Sequence, residues 1–112
     1  MPVLIYKILL PAEWAAFEAN GRFDGSPLDL RDGYIHCSSR DQVAGTAQRY
    51  FADVPDLVVV AIDAQTMGMW LRWETSANGG LFPHVYAPLP RAAVAAVHRI
   101  AGAASVDDVI PA

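Results

Sequence analysis

Residues 57–63 read LVVVAID, an unbroken apolar run that meets no charge until its last position. Successive side chains of a β-strand point to opposite faces, so this run has two hydrophobic faces and must be covered on both. It predicts a fully buried strand inside a layered domain. VLIYKIL at 3–9 has the same character. Alternation puts Val3, Ile5, Lys7 and Leu9 on one face and Leu4, Tyr6 and Ile8 on the other, and only Tyr6 and Lys7 are polar. This segment too is expected to lie centrally in a sheet.

Between them the periodicity changes. Residues 11–20 predict a helix, with Pro11 in the first turn, Trp14 and Phe17 on one stripe, and Asn20-Gly21 as the stop. Residues 22–33 read as a loop ending in the Asp32-Gly33 turn. A strand follows at 34–38. Ser39 with Gln42 three residues on is a capping-box pattern. It opens a helix to about Phe51, with Val43, Ala47, Tyr50 and Phe51 as its apolar stripe. MWLRWE (69–74) and LFPHVY (81–86) are extended, and Pro83 is expected to keep the second out of a central ladder. SANGG (76–80) is a turn. After Pro88 and Pro90 one helical turn and a last strand near 94–100 are expected. The order predicts a single α+β domain over 1–100, with two N-terminal helices, a mostly antiparallel sheet, and a loosely held C-terminal tail at 101–112.

Composition excludes several classes. With 54% hydrophobic and 18% charged residues over 112 positions, the chain can bury a core and is not disordered. A net charge of −4, with seven Arg and one Lys, does not give a generic nucleic-acid-binding surface. One cysteine, Cys37, allows no internal disulfide. The first residues lack a basic leader pattern, and no apolar run reaches the ~18–20 residues of a membrane span. A soluble cytoplasmic protein is the expectation.

The polar residues that remain fall on strands. In DGYIHCSS (32–39), Tyr34, His36 and Ser38 share one face, while Ile35 and Cys37 point to the other. His36 therefore cannot activate Cys37 directly, which reads as a buried thiol. The helix N-terminus after Ser38 and Ser39 favours anions. Lys7 sits within an apolar strand, where an ammonium needs solvent, a carboxylate or a ligand anion. Arg72 and Glu74 share a face, as do His84 and Tyr86. His98 is isolated. His36, Glu74 and His84 come from separate segments without metal-site spacing, so no metal is expected. There is no Gly-rich phosphate loop of Walker or dinucleotide type and no Gly-x-Ser-x-Gly elbow.

IYKIL, EW, GRFDGSPLDLRDGYIHCSS, DQVAGTAQRYF, LRWE and LFPHVYAPLP together resemble the bacterial domain-of-unknown-function family 952, over roughly residues 3–100. The resemblance implies a fold similar to ADP-ribosyltransferases, NAD-using enzymes with a split mixed sheet around a cleft. The pattern is distantly similar to RNA 2′-phosphotransferases. By that likeness Tyr6-Lys7 stands at the first-strand pair, Tyr34 to Ser38 at the second motif, Val58 to Ala64 at the third, and Ser76 to Gly79 at the fourth. Two positions depart: Lys7 replaces the histidine that would hold the NAD ribose, and Tyr34 replaces the leading histidine of the second motif.

Three functions follow as expectations. The first is an enzyme acting on a nucleotide-like or phosphorylated small molecule, with ADP-ribosyl transfer from NAD implied by the resemblance. His36 and Glu74 would be catalytic there, and Tyr6, Lys7, Tyr34, Ser38, Ser39, Arg72, His84 and Tyr86 would bind the ligand. The second is a binding module that has kept the cleft without the chemistry. The third is an interaction protein with merely solvated polar faces.

Overall fold

The computed structural model describes residues 3–77 and 79–112. In chain order the elements are β1 (Leu4–Leu9), α1 (Pro11–Asn20), β2 (Arg22–Phe23), α2 (Pro27–Asp32), β3 (Ile35–His36), α3 (Val43–Phe51), β4 (Leu57–Asp63), α4 (Ala64–Met67), β5 (Leu71–Thr75), β6 (Leu81–Val85), β7 (Leu89–Pro90), β8 (Val94–Ile100) and α5 (Val106–Val109). The apolar run 57–63 is indeed β4, the middle strand of the sheet β1-β4-β8. Its alternation divides the interior in two. Val58, Val60 and Ile62 pack with Ile5, Leu9, Trp14, Phe17 and Phe23 under α1. Leu57, Val59 and Ala61 pack with Tyr6, Ile8, Val43, Ala47 and Val106 under α3 and α5. A helix face therefore covers each side of the sheet.

A second sheet has the order β3-β6-β5, and β2 pairs with β7. The two three-stranded sheets meet at one bridge, where Tyr6 and Ser38 exchange backbone hydrogen bonds of 2.8 Å each. β1 is thus bounded by β4 along its length but touches the other sheet at a single point. Every strand pairing is antiparallel among the described residues, unlike the mixed sheet that the resemblance implies.

Four expectations need correction. Helices are not confined to two early ones. The expected loop at 22–33 contains α2, built by a reciprocal box: the Ser26 hydroxyl accepts from Asp29 N–H, and the Asp29 carboxylate accepts from Ser26 N–H. Pro27 starts it, and Gly33 ends it at φ 87°. Two further helices, α4 and α5, follow residue 51. Tyr50 is not part of the buried stripe but is 58% exposed. LFPHVY becomes the central strand β6 despite Pro83. Pro83 tolerates this because its missing N–H faces β3, where the ladder is only two pairs long, and its carbonyl still accepts from Cys37 N–H at 3.1 Å. The residues after 100 are not loose. Val106 and Ile110 are buried, and the Arg40 guanidinium bonds the carbonyls of Ile110 and Pro111 and the Asp107 carboxylate.

Candidate functional site

The opening between β1 and β3 is where a split-sheet cleft would begin, and here it is closed. His36 pairs with His84 across the β3–β6 ladder, but its own N–H and C=O point toward β1 and find no strand there. Asp29, brought in by α2, accepts the N–H at 3.0 Å, and the Lys7 ammonium donates to the C=O at 2.9 Å. Lys7 and Asp29 then bind each other at 2.9 Å. The ion pair thus does the work of a missing strand. Both residues are buried, Lys7 with 6% and Asp29 with 2% of its surface exposed. Burial alone would raise the Asp29 pKa, but the His36 side-chain hydrogen bond and the Lys7 charge outweigh it and hold the carboxyl well below the usual range. The same burial pushes the Cys37 thiol up to about 12, so Cys37 is an inert core residue.

Across the seam the polar face of β3-β6-β5 carries a connected cluster. Tyr34 stacks on His84 with ring centroids 4.0 Å apart and lies 4.6 Å from the His36 ring and 5.4 Å from Tyr86. Glu74 Oε1 receives the Tyr86 hydroxyl at 2.6 Å and lies 2.9 Å from His84 Nδ1. These two hydrogen bonds lower the Glu74 pKa, and the first raises that of Tyr86. Arg72 lies over the Tyr86 ring at 5.6 Å. The Tyr34 phenol is pushed up by burial and by the Asp32 and Glu74 charges.

Beside this face runs a groove of about 320 Å³, walled by α3 on one side and by His36, Phe82 and His84 on the other. Gln42, Gly45, Thr46, Arg49 and Tyr50 recur at helical spacing along its α3 wall. Gly45 has an ordinary helical backbone, and a Cβ there would meet nothing within 4 Å. Glycine is therefore not required by the turn, and its effect is to keep the wall low.

The two histidines differ in what remains free. His36 Nδ1 lies 2.6 Å from Asp29 and Nε2 lies 3.0 Å from Asp32, so both ring nitrogens are committed. His84 holds Glu74 through Nδ1, nothing bonds its Nε2 among the described residues, and the residue lines the groove. An imidazole oriented by a carboxylate at one nitrogen and open at the other is suited to take or give a proton.

Of the residues expected at the site, Tyr34, His36, Arg72, Glu74, His84 and Tyr86 come together. Tyr6 and Lys7 are buried. Ser38 is buried too, its hydroxyl 3.0 Å from that of Thr46. Ser39 N–H is taken by the Gln42 side chain at 2.9 Å. Asn78 of the expected turn lies outside the described residues. Asp29, Gly45 and Arg49 went unforeseen. The Ser26-Pro27-x-Asp29 spacing was the available signal for the first; nothing local marks the other two. Among the described residues no group of three His, Cys, Asp or Glu side chains could hold a metal ion, and no helix is long and apolar enough to cross a membrane.

Comparison with known proteins gives the chain relatives but no stated activity. Its fold is similar to the crystal structure of protein CC0527 from Caulobacter crescentus, at 47% identity and a TM-score of 0.80, covering 84% of this chain and 82% of that one. The solution NMR structure of CC0527 matches at 47% identity and a TM-score of 0.76, covering 84% and 81%. No curated protein matches the chain. The model of the DUF952 family, described as a protein of unknown function, matches residues 8–97, and the chain belongs to that family.

Proposed function

We propose that the groove between α3 and the polar face of β3-β6-β5 binds a phosphorylated, ring-bearing small molecule of nucleotide-like kind, with His84 Nε2 as the proton-transfer group. The observation that carries this reading is the Glu74–His84 pair on the wall of a groove that Gly45 leaves low, with the second His84 nitrogen unbonded among the described residues. Phe82 and Tyr50 offer aromatic surface to a ring, and Arg49 offers a guanidinium to a phosphate. Glu74 fixes the orientation of His84 rather than touching the ligand. His36, with both nitrogens on carboxylates, forms part of the wall, so the acid–base role expected of it passes to His84.

ADP-ribosyl transfer in the mode that the resemblance implies does not fit. The residue at the ribose-holding position, Lys7, is sealed against Asp29 and the His36 carbonyl and offers no contact to NAD. This favours, as a second reading, a groove that binds without chemistry.

Thermal-shift measurements with AMP, ribose 5-phosphate, ADP-ribose and NAD test both. A bound probe at a hundred times its Kd adds about 2.7 kcal/mol. At least one phosphate-bearing probe is expected to raise the melting temperature, and Gly45→Leu is expected to remove the shift while the chain stays folded. No shift with any probe, or a full shift in Gly45→Leu, overturns the proposal. Binding with no product from any probe selects the second reading.

A further inference from the structure

We propose that the chain forms a two-fold symmetric dimer through the free edge of β5, and that each subunit then supplies Arg72 to Glu74 of the partner subunit. This goes beyond the groove reading and stands without it.

β5 is an edge strand, bonded to β6 on one side only among the described residues. The direction of its backbone groups follows from two hydrogen bonds. Tyr86 N–H donates to the Trp70 carbonyl, and Ser76 N–H donates to the Gly80 carbonyl. In an antiparallel ladder such pairs alternate, so 70, 72, 74 and 76 face β6, and 71, 73 and 75 face outward. The Leu71 N–H is spent on the Gly68 carbonyl. The open groups are therefore the Leu71 carbonyl and both backbone groups of Trp73 and Thr75. Unpaired strand edges of this kind are templates for another strand.

The sequence of this edge is complementary to itself. A two-fold axis at Trp73 pairs Trp73 with Trp73 of the partner subunit through both backbone bonds. Thr75 N–H then donates to the carbonyl of Leu71 of the partner subunit. Arg72 falls directly opposite Glu74 of the partner subunit, at the closely spaced positions where opposite charges attract most. Each charge lacks a full complement within one chain. Arg72 has no carboxylate within salt-bridge distance among the described residues, and Glu74 uses only Oε1, for His84 and Tyr86. The exposed side chains flanking the edge are Met69, Trp70 and Trp73, residue types enriched at interfaces. The partner's guanidinium would thus rest on the carboxylate that orients His84.

Sedimentation equilibrium of the full chain tests this, with two charge variants. Wild type is expected to dimerise. Arg72→Glu places two carboxylates opposite each other, Glu74→Arg places two guanidiniums, and each alone is expected to be monomeric. An equimolar mixture of the two restores both attractive pairs and is expected to dimerise. Circular dichroism confirms that the variants fold. If either does not, amide exchange in the wild type decides: slow exchange at Trp73 and Thr75 supports the paired edge, and fast exchange overturns it. A monomeric wild type, dimeric single variants, or a folded mixture that stays monomeric also overturns the proposal.

Discussion

Two carboxylate–imidazole pairs lie close together, both against the Tyr34 ring, and they do opposite things. At the seam, Asp29 holds His36 and Lys7 with every polar group satisfied and the ion pair sealed from water. At the groove, Glu74 holds His84 by one nitrogen, and the other is unbonded among the described residues. What separates the two clusters is the hydrogen-bonding capacity left over, not the residue types. The ion pair closes two backbone groups that β1 fails to reach, so its charges complete a ladder. The Glu74 carboxylate bonds only side chains among the described residues and closes no backbone group.

This contrast can be broken most severely at the seam. Lys7→Met leaves a buried carboxylate without its cation and should cost about 3–5 kcal/mol in urea unfolding. A loss below about 1 kcal/mol would mean that the pair does not hold the seam. The same pair sets the acid limb of stability. Asp29 is depressed in the folded chain, so its contribution is complete above the ordinary carboxylate pKa of about 3.9 and declines as pH falls below it. The pH dependence of the urea midpoint below that value should flatten in Asp29→Asn, and an unchanged slope would transfer the effect to other carboxylates. At the groove, Glu74→Gln should leave the urea midpoint nearly unchanged, as expected for an exposed charge. It should also let the Tyr86 phenol ionise at lower pH in ultraviolet titration, since Glu74 is what raises it. The smallest effect is Gly45→Ala, which should stabilise the chain by about 0.5–1 kcal/mol, because the helix gains and nothing clashes. A destabilised Gly45→Ala would mean that the wall is already filled.

The sequence alone discloses the interior well because period-two alternation in 57–63 and 3–9 states which side chains face which layer. It discloses the polar face of β3-β6-β5 for the same reason: Tyr34 with His36, Arg72 with Glu74, and His84 with Tyr86 each share a face by parity. Parity also separates Lys7 from that face once β1 and β3 are known to meet at Tyr6 and Ser38, but the meeting point is a long-range fact no local pattern contains. The signal for α2 is weak because Asp29 replaces the Glu or Gln usual in a capping box, and Asp29 is the carboxylate that Lys7 meets on its buried face. Pro83 misled because its rule depends on which side of the strand the absent N–H faces.

The seam also gathers the chain's only lysine ε-amine and its only thiol, Lys7 and Cys37, both buried. Acylating and alkylating reagents applied to the folded protein would then be slowed by one and the same barrier, the opening of that junction. Two unrelated covalent labels followed by mass spectrometry would therefore time a single breathing motion, without any residue being introduced for the purpose.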